Sequence, residues 1–446
     1  MKPSNNNRGA SPYHFPELPQ GDSGIFERNC VMDQIQYFLH RHRMAPGSVS
    51  YDALTQEIFL QMERGLAGDG TSIPMLPSYV YAGGAPALGI PAAVIDAGGT
   101  NFRSALVTLT KQGPEVEALT VTPMPGTDGE ATWEAFIARC ADGVEPLLAC
   151  TDRIGICFSF SFTPTPDGDG QVMQITKEVR ISGAAGRPIC TDLAAELARR
   201  GHENLRFALI NDTLAVHLGV AAGAGLAPGN CMGMVCGTGS NVCCAVDSRR
   251  ITKYAVPDRG AMLINTESGF FTGVAQGDFD RALDASTADP GHALSEKMVS
   301  GAYLGELCRL TLQGAAREGL FSKAGAKRIL QMDTLTSNEA DGLSGPLEKL
   351  SKADKAVADA LINAVFDRSA KVMCCTLCAV LRLTGQGMRD VFHIGAEGSL
   401  FQKSARFRPA LERHMHVYAR KCLARRYEFV SCENTTLLGA ACAVLL

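Results

Sequence analysis

The sequence predicts a two-lobed α/β protein, and three observations carry that prediction. One local pattern, an apolar strand, a glycine-rich turn and a second strand, occurs twice, over 92–107 and again over 232–246. Between the copies, the apolar run Arg206-Phe207-Ala208-Leu209-Ile210 ends in the polar pair Asn211-Asp212 before a helical pattern, as strands of open α/β sheets do. The 446 residues are enough for roughly two or three domains at about 150 residues each, which leaves a lobe for each copy.

The elements follow in chain order. Residues 1–25 are rich in Asn, Ser, Pro and Gly without a period of 2 or 3.6, and read as a flexible tail. Apolar residues at Ile35, Phe38 and Leu39, then at Leu54, Ile58, Phe59 and Met62, predict two amphipathic helices between Glu27 and about Leu66. The balance of 46% hydrophobic and 20% charged residues is that of a folded chain. With 46 acidic and 42 basic side chains, the net charge of −4 and the lack of a long Lys/Arg run exclude a nucleic-acid binder. No apolar stretch reaches the roughly 20 residues of a membrane span, and the N-terminus lacks a signal-peptide core, so a cytoplasmic protein with no membrane partner is expected. The 16 cysteines are scattered through apolar runs and read as small core hydrophobes. Cys375 and Cys378 form a CxxC, but they fall inside a helical pattern with no further ligands, so a structural role is expected.

Glycine at a hairpin tip lets backbone N–H groups approach an anion closely, so the repeated turn suggests two phosphate-gripping lobes. Each turn alone is equally an ordinary hairpin. Neither carries the GxxxxGK[ST] pattern of a P-loop, and no GxGxxG opens a helix. Asp212, at the carboxyl end of a strand, reads either as a general base or as the cap of the following helix.

Several ordered motifs resemble the hexokinase family in its eukaryotic form, from about Ser50 to the end of the chain. Ile95-Asp96-Ala97-Gly98-Gly99-Thr100-Asn101-Phe102-Arg103 is similar to that family's first phosphate motif, and Gly237-Thr238-Gly239-Ser240-Asn241 to its second. Ser72–Val80 resembles the segment before the first strand, Gly155–Phe160 the sugar-side loop, Thr176-Lys177 the Thr-Lys pair, and Leu209–Thr213 the strand bearing the base. Asp284, Pro290-Gly291 and Glu296–Glu306 give the longest agreement, and Gly395–Phe401 is similar to the adenosine motif.

The resemblance implies the actin-like, RNase-H-like ATPase fold, with an active-site cleft between a small and a large α/β lobe. The expected boundaries are N-terminal helices over 26–90 packed on the large lobe, a small lobe over 91–212 that regains the helix at 437–446, and a large lobe over 213–436. It implies a hexose kinase that transfers the γ-phosphate of Mg·ATP to the 6-hydroxyl of glucose or a related hexose, the entry step of glycolysis. In that reading Asp212 is the base, and Lys177 and Arg103 supply positive charge near the transferring group. Ser159, Thr176, Lys177, Asn211, Asp212, Asn241, Glu267 and Glu296 would hold the sugar. Gly98, Gly99, Thr100, Asn101, Arg103, Gly237, Thr238, Gly239, Gly395, Gly398 and Ser399 would hold ATP, and Asp96 would orient Mg²⁺ through water. No oligomeric state is implied.

The chain departs from the family pattern around the sugar. Val179 and Ser268 stand where aromatics are usual, Ala293 replaces Gln, Ser161 replaces Pro, and the stretch before Gly439-Ala440-Ala441 lacks Gly-Ser-Gly. These departures favour mannose, fructose or an amino sugar as alternative substrates and leave nucleotide choice open. A catalytically weak hexose-sensing regulator is a further alternative.

Overall fold

The computed structural model describes residues 23–446 apart from 100 and 176–178. The expectations for Thr100, Thr176 and Lys177 therefore lie outside the described residues, as does the expected tail over 1–22. Residues 23–25 are a correction to that tail, because helix α1 (Ser23–Arg41) already includes them.

After α1, helix α2 (Tyr51–Ala67) starts where the Ser50 hydroxyl accepts from the Ala53 N–H and stops at left-handed Gly68. Strand β1 (Leu76–Tyr81) follows. Strands β2 (Pro91–Ala97), β3 (Asn101–Thr110) and β4 (Gly113–Pro123) form an antiparallel meander. Then come β5 (Ala131–Thr132), α3 (Trp133–Val144), β6 (Arg153–Phe158) and the ribbon of β7 (Ser161–Pro164) and β8 (Gly170–Gln174). The first half closes with β9 (Ile181–Ser182), α4 (Ile189–Arg199), β10 (Arg206–Ile210) and α5 (Asp212–Gly223).

The second half opens with β11 (Cys231–Cys236), β12 (Ser240–Asp247) and β13 (Ala261–Asn265), again an antiparallel meander. The helical insertion comprises α6 (Asp278–Ser286), α7 (Leu294–Val299), α8 (Gly301–Arg317), α9 (Lys323–Leu330), α10 (Ser337–Gly342) and α11 (Lys352–Thr384). Strand β14 (Phe392–Glu397), α12 (Ser399–Lys403), α13 (Phe407–Met415), β15 (Tyr427–Val430) and α14 (Thr435–Leu445) complete the chain.

The two sheets repeat one topology. In the five-stranded sheet the order is β4-β3-β2-β6-β10, with β2, β6 and β10 parallel. In the six-stranded sheet the order β13-β12-β11-β14-β15 matches it strand for strand, with β11, β14 and β15 parallel, and β1 is added at the edge beside β13. The twice-occurring sequence pattern is thus the first hairpin of each repeat.

Helices α5 and α14 share one apolar cluster with both sheets, through Leu214, Leu218, Leu437 and Ala441 on the helices and Val94 and Leu263 on the strands. They cross backbone to backbone: a Cβ on Gly439 would lie 2.0 Å from the Ala215 carbonyl oxygen, so only glycine fits there. On the far side of the large sheet, α1 and α2 bury Phe38, Leu39, Ile58 and Met62 in the cluster that holds α11. Cys375 and Cys378 are buried inside α11, as the helical pattern predicts. Burial pushes the Cys375 thiol up to about 12, which leaves it unionised and unreactive at neutral pH.

Candidate active site

The site is built at the carboxyl ends of the parallel strands of the small sheet. Asp96 on β2 and Ile210 on β10 both pair in register with Cys157 on the strand between them. Asp96 and the start of α5 are therefore two strand spacings apart, about 10 Å. The buried Cys157 thiol sits between them, hydrogen-bonded with Asp96 and Ser159; burial, then the charges of Asp96 and Asp212, hold it unionised.

The two polar residues at the end of β10 divide their tasks. Asn211 caps α5, its Oδ1 accepting from the Leu214 N–H at 2.9 Å. Asp212, the first helical residue, is half-buried and accepts from the Thr213 hydroxyl at 3.2 Å. Of the two readings of Asp212 offered by the sequence, the capping one belongs to its neighbour. The helix dipole favours a carboxylate at that position.

Across from Asp212, the large sheet supplies two more carboxylates. Glu267 follows β13 with its backbone in the left-handed region, φ 53°, a conformation that costs a non-glycine residue about 1–3 kcal/mol and clusters at functional sites. Its Oε1 accepts from Asn265 Nδ2 at 2.7 Å, and Asn265 Oδ1 accepts from Asn241 Nδ2 at 2.7 Å. Burial pushes the Glu267 carboxyl up to about 7; the Asn265 bond opposes that shift, while the charges of Asp212 and Glu296 add to it. The three carboxylates thus share one electrostatic neighbourhood. Glu296 Oε2 accepts from the Ser240 N–H at 3.0 Å, an approach open only because a Cβ on Gly239 or Gly269 would come within 3.0–3.1 Å of that oxygen.

The second glycine turn is tight, with the Gly237 N–H donating to the Gly239 carbonyl at 2.9 Å. Its outward carbonyls take the first N–H groups of α8, Gly301 to Gly237 at 2.7 Å and Ala302 to Thr238 at 3.2 Å. Gly398, φ 107°, lies against the same turn: a Cβ there would be 2.4 Å from the Cys236 carbonyl. Gly398 and Ser399 are therefore brought beside Gly237, with Thr238 and Ser399 exposed. Gly395 is a correction, because it lies inside β14, buried between Gly233 and Val430, where a Cβ would strike Val220 at 2.9 Å. Its glycine serves sheet-on-helix packing.

At the first turn the Gly98 N–H donates to the Asn101 carbonyl at 3.1 Å, and Gly99 and exposed Asn101 flank the tip. Arg103 is already engaged there. Its Nε donates to Asp96 Oδ2 at 3.0 Å, and its Nη2 to Thr436 Oγ1 at 2.7 Å; the Thr436 hydroxyl in turn donates to Asp96 Oδ2 at 2.8 Å. Next door, the Thr435 hydroxyl donates to Glu397 Oε1 at 2.8 Å. The start of α14 thus ties the first glycine turn to the end of β14. Asn265, Thr436 and Glu397 are site residues that reading the sequence missed; Thr436 meets Arg103 across 333 positions, a pairing no local spacing signals.

Two α/β repeats of one topology, each presenting a glycine turn to a cleft edged with carboxylates, define the actin-like ATPase fold class. Within that class the chain belongs to the hexokinase family: two family models, both described as Hexokinase, match residues 38–222 and 231–446. Hexokinase-2 of Equus caballus is 27% identical over 92% of this chain, and the chain spans only 48% of that relative's length. Hexokinase-1 of Oryza sativa is 27% identical over 85% of this chain and 84% of its own length. Among solved structures, a Schistosoma mansoni hexokinase complexed with glucose superposes with a TM-score of 0.76 at 22% identity, covering 93% of this chain and 99% of that one, which shows the shared fold. Among the described residues, no helix is long and apolar enough to cross a membrane.

Proposed function

We propose that the chain is an ATP-dependent hexose kinase that moves the γ-phosphate of Mg·ATP to the 6-hydroxyl of a hexose. The observation that carries this reading is the convergence of Asp212, Glu267 and Glu296 opposite two glycine turns. Phosphoryl transfer asks mainly for positioning and charge neutralisation. Asp212 accepts the proton of the attacking hydroxyl; its carboxylate is not consumed in capping, so it is available to do so. Glu267, Glu296 and Asn241 on the large lobe, with Asn211 and Ser159 on the small one, present the paired donors and acceptors that sugar hydroxyls require. The turns at Gly98–Gly99 and Gly237–Gly239, with Asn101, Gly398 and Ser399, hold the nucleotide. Thr100, Thr176 and Lys177 carry the roles that the family resemblance gives them.

The donor set at the first turn fits a hydrated Mg²⁺. A single buried carboxylate, Asp96, would hold it through water, and no cluster of three or more His, Cys, Asp or Glu side chains competes for a bare ion among the described residues. Bound there, Mg²⁺ supplies neutralisation of phosphate charge. Arg103 stays paired with Asp96 and bears on the phosphates from that pair.

We assign residues 91–212 with 437–446 to a small lobe that closes on a large lobe of 213–436, the helices over 26–90 riding on the latter. A second reading, the same chemistry on a hexose other than glucose, is favoured by Ser268 and Val179. Both are buried at 4% exposure where the family pattern places bulkier rings. Release of ADP from Mg·ATP across glucose, mannose, fructose, glucosamine and N-acetylglucosamine tests both readings: stimulation by at least one sugar is expected, and no stimulation by any contradicts them.

A further inference from the structure

We propose that Lys297 is a positioning residue for Glu296, holding the sugar-facing carboxylate in place from a buried site on the adjoining face of helix α7. The inference rests on the reading of the cleft as a hexose site. The argument begins with the helix. Six residues, Leu294–Val299, are too few for internal hydrogen bonds to hold a helix by themselves, so outside anchors set its orientation. It starts at Ala293, φ 49°, and its first turn is tied to the loop after Glu267 by the Ser295 N–H donating to the Phe271 carbonyl at 2.9 Å.

The other anchor is Lys297. Its side chain is 2% exposed, and its ammonium has three partners: Asp284 Oδ1 at 2.8 Å, the Asp289 carbonyl at 2.8 Å and Asp289 Oδ1 at 3.1 Å. An ammonium has three donors, so all are matched. Asp284 also accepts from the Gly291 N–H at 2.9 Å, which closes the 284–291 loop around the same charge. Burial alone would lower the pKa of Lys297, but the bonds to Asp284 and Asp289 outweigh it and raise it, so the charge is held.

Neighbouring residues on a helix project about 100° apart. With Lys297 fixed to the 284–291 loop, Glu296 is turned to the tip of the second hairpin, where Ser240 N–H meets it at 3.0 Å. A carboxylate that binds sugar through paired hydrogen bonds tolerates little rotation of its helix. The pair at 296 and 297 therefore reads as one device: the outward residue binds and the inward residue aims it.

The test compares wild type, Lys297→Met, Lys297→Arg, Asp284→Asn, Glu296→Gln and the double variant Glu296→Gln/Lys297→Met as full chains. Hexose binding is read by titration calorimetry and thermal melting is recorded alongside. The expected result for folded Lys297→Met is a loss of hexose affinity of about tenfold or more, with ATP affinity unchanged within about twofold and partial recovery in Lys297→Arg. Because the two residues act as a unit, the double variant should bind hexose no more weakly than Glu296→Gln alone. Additive losses, or equal losses toward hexose and ATP, would overturn the positioning role. Should Lys297→Met fail to fold, Asp284→Asn, which keeps Asp289 as a partner, carries the same expectations. A wild-type chain that binds no hexose would overturn the underlying reading and the proposal with it, whereas wild-type binding matched by the variants would overturn the positioning role alone.

Discussion

At Glu267 two demands meet. The proposed function asks for an acceptor of sugar hydroxyls here, yet enclosure and the nearby charges of Asp212 and Glu296 oppose a third negative charge, and the carboxyl is pushed from 4.5 up to about 7. A carboxyl whose folded pKa is raised stabilises the fold fully below its unfolded pKa, and that contribution is lost as pH rises through the folded value. Between about pH 4.5 and 7 the protein should lose on the order of 3 kcal/mol from this group. Denaturant titrations of wild type and Glu267→Gln across that range check it. The glutamine variant should lose this part of the pH dependence, and an unchanged slope would count against the assignment. Glu267 itself was legible from family resemblance, but its left-handed backbone was not: φ 53° is imposed by the turn out of β13, which no propensity of Glu announces.

At the scale of elements, the joints that hold the cleft are long-range and polar. Helices α6 and α11 are pinned by Arg368 and Asp280, both 1% exposed at their side chains, with Nη1 and Nη2 donating to the two carboxylate oxygens at 2.6 and 2.5 Å. Removing one partner strands the other charge, so Arg368→Met should cost about 3–5 kcal/mol in unfolding free energy. The turn after β14 makes a separate demand. Gly398→Ala places a methyl 2.4 Å from the Cys236 carbonyl at φ 107°, and should cost about 1–3 kcal/mol of stability. Because it displaces the turn at Gly237, it should also raise the KM for ATP more than that for hexose, as steady-state kinetics would show. Sequence patterns carried the strands and both hairpins, since apolar alternation and glycine turns are local. They did not carry Gly395, whose role is set by Val220 on another element, nor Thr436, whose partners are brought close only by the fold.

For the molecule as a whole, the repeat is the organising fact. Two sheets share the order of their strands, α5 and α14 lie between them, and the chemistry-bearing ends of both repeats face one cleft. The duplication was legible because its first hairpin is written twice in the chain; that β14 and β15 continue the second repeat was hidden by the long helical insertion that separates them from β11–β13. Transfer to a sugar rather than to water calls for exclusion of water, so an accepted hexose should draw the lobes together. Small-angle scattering should show a smaller radius of gyration with that hexose than without it; an unchanged radius would contradict closure. The central claim is that Asp212 is the base of a hexose kinase, and one measurement tests it most directly: hexose-dependent ADP release by Asp212→Asn beside wild type, at saturating Mg·ATP and sugar. Since Asn211 supplies the helix cap, the variant should melt as wild type does while transfer falls by about 10²–10⁴-fold; a folded variant that keeps wild-type turnover would contradict the account.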